Sequence, residues 1–357
     1  MIIGVDAGAL SISDDRLKVG VWRVSFELLK ALSCIDTSKC YRLYSFTPIP
    51  QEVMKKLGGN MKNVVLAPSL GYMKFRLPLE LIKNPVDVFL GLSQASPFMV
   101  RGKSIGFVHD LRFLHLKDIE GSQTLSAQTE YMMRHATHII SVSQYVKDDV
   151  MKTYPISEKS ITVAHSGISS IFSHSGKKVK RKIPYFLFVG SLRKGKNIPM
   201  LIEAFTEFLH TTKQLYDLLL VGGDYWRDGD IEKTIKHLRV KERVHSLGFI
   251  PDSQLAQYYR GAVALVTMTE MEGFGLPLVE AFASGCPVIA PRVGALPEVV
   301  EKAGILIQPG NGKDMVRAMQ IMTNHETRTH YRRLGLTQAT KYSWITFAET
   351  IRKVMER

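Results

Sequence analysis

Two carboxylates stand eight positions apart in the segment Glu272-Gly-Phe-Gly-Leu-Pro-Leu-Val-Glu280. Between them, Gly273 and Gly275 make a loop that can come close to a ligand, and Pro277 opens a helix that Gly285 ends. Proline just inside a helix start and glycine just past its end is the expected asymmetry. A glycine-bearing loop that feeds a helix N-terminus presents backbone N–H groups and a positive dipole end, which suits a diphosphate. The carboxylates cannot face that anion. They can accept hydrogen bonds from hydroxyl groups, so a polyhydroxylated ligand such as a sugar or ribose accounts for them. Glutamates that only complement the helix dipole are the competing explanation, and the adjoining glycines weaken it.

Two further clusters carry compatible chemistry. Gly190 to Asn197 (GSLRKGKN) brings Arg193, Lys194 and Lys196 into a short turn, where Lys and Arg supply charge-assisted donors to pyrophosphate oxygens. It is not read as a Walker A loop, because Asn197 stands where the GxxxxGK[ST] pattern needs Ser or Thr. In the first half, Lys18 to Arg23 (KVGVWR) places Gly20 just before a helix, and a strand-like run ends in His109-Asp110. An imidazole at a strand's carboxyl end beside an acid is a candidate for function. His165-Ser166-Gly167 is a weaker case of the same kind.

The elements that must position these groups alternate. Strand-like runs occupy Ile2 to Val5, Tyr41 to Phe46, Val64 to Leu66, Val86 to Leu90, Ser104 to Val108, His138 to Val142 and Ile161 to Ala164. The second half has them at Tyr185 to Val189, Leu218 to Val221, Ala264 to Met268 and Pro287 to Ala290. Helical patterns fall at Val21 to Leu32, Ser122 to His135, Ile198 to Leu209, Gln254 to Tyr259 and Pro277 to Ser284. Such alternation predicts an α/β chain of two doubly wound parallel sheets, with ligands outside the carboxyl ends of the strands. The basic stretch His174 to Lys182 reads as the linker between them, with lysines that face an anionic surface such as a membrane leaflet as the alternative. A basic, partly apolar helix candidate at Tyr72 to Lys83, interrupted by Pro78, reads as a surface helix over the first sheet, with a membrane surface as the alternative.

Composition sets the outer bounds. The chain has 357 residues, 45% hydrophobic and 22% charged, which excludes wholesale disorder and fibrous repeats and exceeds what one core usually serves. No apolar run reaches transmembrane length. The start MIIGVDAG reads as a strand rather than a secretion signal. Three cysteines, Cys34, Cys40 and Cys286, with no CxxC pair, fit a reduced cytoplasmic chain and argue against a disulfide framework or zinc site. The net charge of +14 implies an anionic partner: nucleic acid, lipid headgroups or a phosphorylated substrate.

The Glu272 to Glu280 segment resembles the E-x7-E signature of retaining GT-B glycosyltransferases, specifically glycosyltransferase family 4 (the glycosyl transferases group 1 set). Further matches follow in family order: Gly4-Val5-Asp6-Ala7 with the Gly20 loop, Val108-His109-Asp110, Val142-Ser143, Phe188 to Leu192, Gly248-Phe249, Gly285-Cys-Pro-Val288, Leu296-Pro297-Glu298-Val299 and Ser343-Trp344. The resemblance implies two facing Rossmann-like domains, with residues 1–175 binding the acceptor and 183–340 the nucleotide-sugar donor. A terminal helix, 341–357, would cross back to the first domain. It implies that Glu280 holds ribose hydroxyls and Glu272 those of the donor sugar. Gly273, Phe274, Gly275 and Leu276 would contact sugar or phosphate. Lys196 would neutralise the diphosphate, with Ser191 and Arg193 beside it, and Gly20 would let its loop approach that group. His109 would touch the transferring sugar, and Gly248, Phe249 and Ile250 would line the base. Many members have arginine where Ser191 stands and a second glycine where Trp22 stands.

By the same resemblance the reaction retains configuration, the departing phosphate oxygen deprotonates the acceptor, and no cofactor or metal is required. The acceptor would be a glycan or lipid-linked molecule in polysaccharide or glycoconjugate synthesis. The expected place is the cytoplasm and the inner face of the membrane, with peripheral contact to anionic lipid and no nucleic acid bound. Asp228-Gly229-Asp230 matches a metal-binding DxD pattern but reads as a helix cap. The rival functions are a GT-B-fold sugar-nucleotide epimerase, for which no acid/base pair can be placed, and a non-catalytic nucleotide-sugar-binding protein. Nucleic-acid binding lacks a recognisable motif.

Overall fold

The computed structural model describes every residue except 15–17, 19, 99, 116–121 and 224–228. Seven apolar runs form the first sheet: β1 (Ile2–Asp6), β2 (Cys40–Ser45), β3 (Met61–Val65), β4 (Val88–Gly91), β5 (Lys103–Val108), β6 (His138–Ser141) and β7 (Ile161–Val163). Six form the second: β8 (Tyr185–Val189), β9 (Asp217–Val221), β10 (Val244–Gly248), β11 (Leu265–Val266), β12 (Val288–Pro291) and β13 (Ile305–Ile307). All pairings are parallel, in the orders β3-β2-β1-β4-β5-β6-β7 and β10-β9-β8-β11-β12-β13. Central strands read as nearly unbroken hydrophobic runs because both of their faces are covered. Phe186, Leu187 and Phe188 on β8 are each buried.

The first unit carries the helices α1 (Gly20–Ile35), α2 (Gln51–Met54), α3 (Leu77–Lys83), α4 (Arg112–His115), α5 (Ser122–His135) and α6 (Gln144–Thr153). The second carries α7 (Ile198–Thr211), α8 (Gly229–His237), α9 (Asp252–Gly261), α10 (Leu276–Ala283), α11 (Leu296–Val300), α12 (Gly312–Thr323) and α13 (His325–Ala339). A last helix, α14 (Trp344–Glu356), belongs to the first unit. Among the described residues no helix is long and apolar enough to cross a membrane.

The compact units are Met1–Gly167 with Ser343–Arg357, and Ile168–Tyr342. The first therefore ends earlier than residue 175, and the basic stretch His174 to Lys182 lies inside the second unit. It is not a free linker. Arg260 of α9 donates from Nε to the Lys177 carbonyl (2.6 Å) and from Nη1 to that of Ser173 (2.8 Å). The Val179 N–H bonds to the Gln257 carbonyl, and Arg181 pairs with the buried Asp217 at 2.9 Å. Pro78 also acts differently from the expectation. It sits in the first turn of α3, directly after a π-helical turn at Tyr72–Arg76, where its missing N–H costs nothing.

Ser143 and Ser343 cap α6 and α14 with their side-chain oxygens. In the first unit α14 packs on α1 and the sheet. Phe347 is buried, with Trp344 edge-on at 5.4 Å and Phe107 of β5 at 6.5 Å. Arg352 reaches the Ile35 carbonyl at 3.3 Å. Emptying that aromatic pocket leaves a cavity, so Phe347→Ala is expected to lower unfolding stability by about 3–5 kcal/mol, read by urea or thermal melting.

Candidate active site

Each sheet has one point at which the chain reverses its order of growth, and ligands of open α/β sheets bind outside the strand ends there. In the second sheet that point lies between β8 and β11. The loops leaving these two strands carry Lys196 and Glu272. Lys196 closes a short 3-10 turn, Lys194–Lys196, and its ammonium forms an ion pair with the Glu272 carboxylate. Both are mostly shielded, at 13% and 24% side-chain exposure, so water screens the pair only partly. They line one narrow cavity with Val189, Thr267, Thr269, Gly275, Pro277 and Leu296. Its floor is apolar strand and its far wall is the start of α10.

Backbone bonds hold the two loops together. The Gly195 carbonyl accepts from the Glu270 N–H (3.1 Å) and lies 3.2 Å from the Thr269 hydroxyl. Behind Glu272, the Ala295 N–H bonds to the Glu272 carbonyl at 2.9 Å. Gly294 has φ +55°, and a Cβ there would stand 2.2 Å from that carbonyl oxygen. Gly222 is tighter still: with φ +146°, its Cβ would meet the Gly190 carbonyl at 1.9 Å. These close approaches let the ends of β8, β9 and β11 converge. The sequence singled out neither Gly294 nor Gly222. The signal was there as glycine at or just beyond a strand's carboxyl end, in VGG directly after β9 and in PRVGALPEV three residues after β12.

The other candidates of this unit are placed as follows. Gly275 caps α10 with φ +94°, and Leu276 opens the helix. Gly273 precedes Phe274, which is buried edge-on against Tyr342 (5.5 Å). Glu280 is only 4% exposed, and Tyr259 of α9 donates to it at 3.2 Å. It does not line the Lys196 cavity. Ser191 and Arg193 follow β8; the Arg193 Nε is buried without a hydrogen-bond partner. At the end of β10, Gly248 (φ +66°) has open space around it, Phe249 is exposed, and Ile250 is partly covered. Asp228 of the DxD pattern lies outside the described residues, and α8 starts at Gly229.

In the first unit, His109 follows β5. Its Nε2 lies 2.8 Å from the Leu92 carbonyl, so the neutral ring donates there and leaves Nδ1 bare. Its backbone N–H donates to Gln94 Oε1 at 3.1 Å, and Gln94 holds φ +58° while its Nε2 donates to the Asp110 carbonyl. No pattern of residue types marks Gln94 in advance. Gly20 is the exposed first residue of α1, and a Cβ there would touch nothing within 4 Å. Trp22 stacks on Phe26 at 5.0 Å, with the Lys18 ammonium 5.2 Å from its ring. Val19 of that loop lies outside the described residues.

With the fold and the geometry of this cavity described, the chain can be compared with known proteins. Residues 170–337 match the model of Glycosyl transferases group 1. That span is nearly all of the second unit. The chain is 26% identical over 317 residues to O-antigen chain mannosyltransferase RfbU of Salmonella typhimurium, covering 84% of this chain and 86% of that protein. It is 33% identical over 162 residues to O-antigen chain mannosyltransferase B of Escherichia coli, which covers 45% of this chain and only 42% of that relative. Its fold is that of sucrose-phosphate synthase from Thermosynechococcus elongatus (TM-score 0.80, 18% identity, 99% and 98% of the two chains). It is equally that of Anabaena HepE, solved in complex with UDP-glucose (TM-score 0.77, 18% identity, 99% of each chain). The two parallel Rossmann-like domains are thus those of GT-B structures.

Two outcomes follow from the site's geometry. Gly294→Ala should destabilise the second unit by about 1–3 kcal/mol, and a crystal structure of the variant should show the Glu272 carbonyl displaced. Burial holds the His109 imidazole below its ordinary 6.5, against the opposing pull of the Leu92 carbonyl and Asp110. Above that value neither folded nor unfolded chain is protonated there. Below it the unfolded chain takes the proton first, so stability falls with pH. His109→Asn should therefore lose less Tm than the wild type between about pH 7 and about pH 5.

Proposed function

We propose that the chain is a retaining, metal-independent glycosyltransferase. It would move a sugar from a nucleotide-sugar donor to a glycan or lipid-linked acceptor in surface polysaccharide synthesis of the O-antigen or lipopolysaccharide type. The observation that carries the proposal is the Lys196–Glu272 pair beside the α10 N-terminus. It supplies a cation for a departing diphosphate and a carboxylate for sugar hydroxyls within one cavity. The names of the two O-antigen relatives and the UDP-glucose bound to HepE support the substrate class.

The proposed roles follow the charges. Lys196, with Arg193, Ser191 and the α10 N-terminus, takes up the negative charge that grows on the leaving diphosphate. A nucleoside diphosphate that is already a good leaving group needs no dedicated acid. Glu272 orients the sugar through its hydroxyls, assisted by the backbone from Gly273 to Leu276. Glu280 takes the ribose once Tyr259 yields its bond, and Gly248 to Ile250 take the base. Family resemblance assigns His109 to the transferring sugar and Gly20 to the diphosphate. The enzyme is assigned to the inner face of the membrane, where a lipid-linked acceptor would be met.

The test is a panel of nucleotide sugars, beginning with those carrying mannose, screened by thermal shift and then by transfer. A true donor raises Tm with concentration. Glu272→Ala and Lys196→Ala should each lower transfer by about 100-fold or more while melting near the wild-type temperature. Transfer at the wild-type rate by either variant rejects the site. Retention is read from the anomeric coupling of the product, and undiminished turnover in EDTA supports metal independence. An epimerised donor formed without acceptor would point to the epimerase instead.

A further inference from the structure

The segment from Leu70 to Lys83 is held to the first sheet by one face only. Tyr72, Leu77 and Leu81 enter a buried cluster with Tyr44, Val86 and Phe89, and Tyr72 meets Phe46 edge-on at 5.8 Å. The opposite face is apolar and bare: Leu70 is 87% exposed, Phe75 65% and Leu79 57%. Phe75 and Leu79 are four residues apart along the continuous π- and α-helical run, so they share a face, with Lys83 one turn beyond. Phe75 is also positioned rather than loose. Its ring lies over Gly71 (φ +72°), where a Cβ would stand 3.0 Å from the ring.

The charge along this part of the chain is mostly positive. Between residues 52 and 84 the sequence carries Lys55, Lys56, Lys62, Lys74, Arg76 and Lys83 against the acids Glu52 and Glu80. All six cations are exposed, and Glu80 is occupied by the Asn84 amide at 3.0 Å. Lys62 lies on β3, the edge strand of the sheet. An apolar protein interface is poor in lysine. Exposed aromatic and leucine side chains on a segment that also carries exposed Lys74, Arg76 and Lys83 suit a lipid surface, where the apolar groups enter the headgroup boundary and the cations meet phosphates.

We infer that the Leu70–Lys83 face is the surface by which this chain docks on an anionic lipid bilayer. This rests on the membrane contact in the proposed function and not on sugar transfer. It also assigns the docking to the first unit instead of the basic stretch His174 to Lys182, whose backbone and Arg181 are engaged within the second.

Co-sedimentation of the full chain with vesicles tests it. The wild type should bind vesicles containing phosphatidylglycerol, bind pure phosphatidylcholine weakly, and be released by salt. Phe75→Ser with Leu79→Ser should weaken binding to the anionic vesicles by about tenfold or more. Lys74→Glu with Arg76→Glu should do the same. Lys178→Glu with Lys180→Glu should bind like the wild type. Phe75→Trp should add a blue-shifted emission component on anionic vesicles.

Three results overturn the inference: no binding by the wild type, undiminished binding by the Phe75/Leu79 variant, or loss only in the Lys178/Lys180 variant. A fourth is a dimer in sedimentation velocity that the Phe75/Leu79 variant turns into a monomer, because the face would then belong to a second copy. Glu272→Ala separates the two readings, since it should lose transfer and keep vesicle binding. Docking that tracks Phe75 and Leu79 without any sugar transfer would sink the enzyme and leave the surface standing.

Discussion

Everything at the candidate site depends on how closely backbones can approach at the carboxyl ends of the second sheet. A parallel sheet leaves its strand ends fanned apart, and side chains on the connecting loops would keep them so. Gly222 removes the obstacle between β9 and the Gly190 carbonyl, and Gly294 removes it between the β12 loop and the Glu272 carbonyl. With both in place, the β8 and β11 loops can share the Gly195 carbonyl as an acceptor. Only then do a lysine and a glutamate 76 positions apart in sequence come to face each other. The glycines are thus the reason that the charged residues meet, although they carry no chemistry themselves.

Much of this could be read from the residues. The alternation of apolar runs with helical patterns announced two parallel sheets, and Lys196 and Glu272, both singled out by the residues, line one cavity while Glu280 does not. Short elements were less legible. β10 and β13 are three to five residues at the margin of the sheet with mixed burial, so their apolar pattern is weak, and α12 and α13 follow polar segments that could equally be loops. The basic stretch after Ser173 has the composition of a linker. Only the fold reveals that Arg260 holds its backbone in place. Gln94, too, looks like an ordinary loop polar residue until its positive φ and its bond to the His109 N–H are seen.

The burial of Glu280 is a case where residue type and structure give different emphasis. Its spacing from Glu272 invites an exposed pair reaching for hydroxyls. The structure instead buries it and gives it to the Tyr259 hydroxyl. A buried carboxylate held by a tyrosine is well oriented at the cost of accessibility, so the two glutamates occupy unlike environments although they sit on one short segment.

The ion pair between Lys196 and Glu272 means that the two charges lining this cavity already neutralise each other. A bare anion that takes the ammonium leaves the glutamate stranded beside new negative charge, which a partly shielded site penalises. A molecule that brings an anion for the lysine and hydroxyl donors for the glutamate satisfies both at once. On the proposed function, the pair would therefore favour a ligand that carries both groups over free phosphate or free sugar alone.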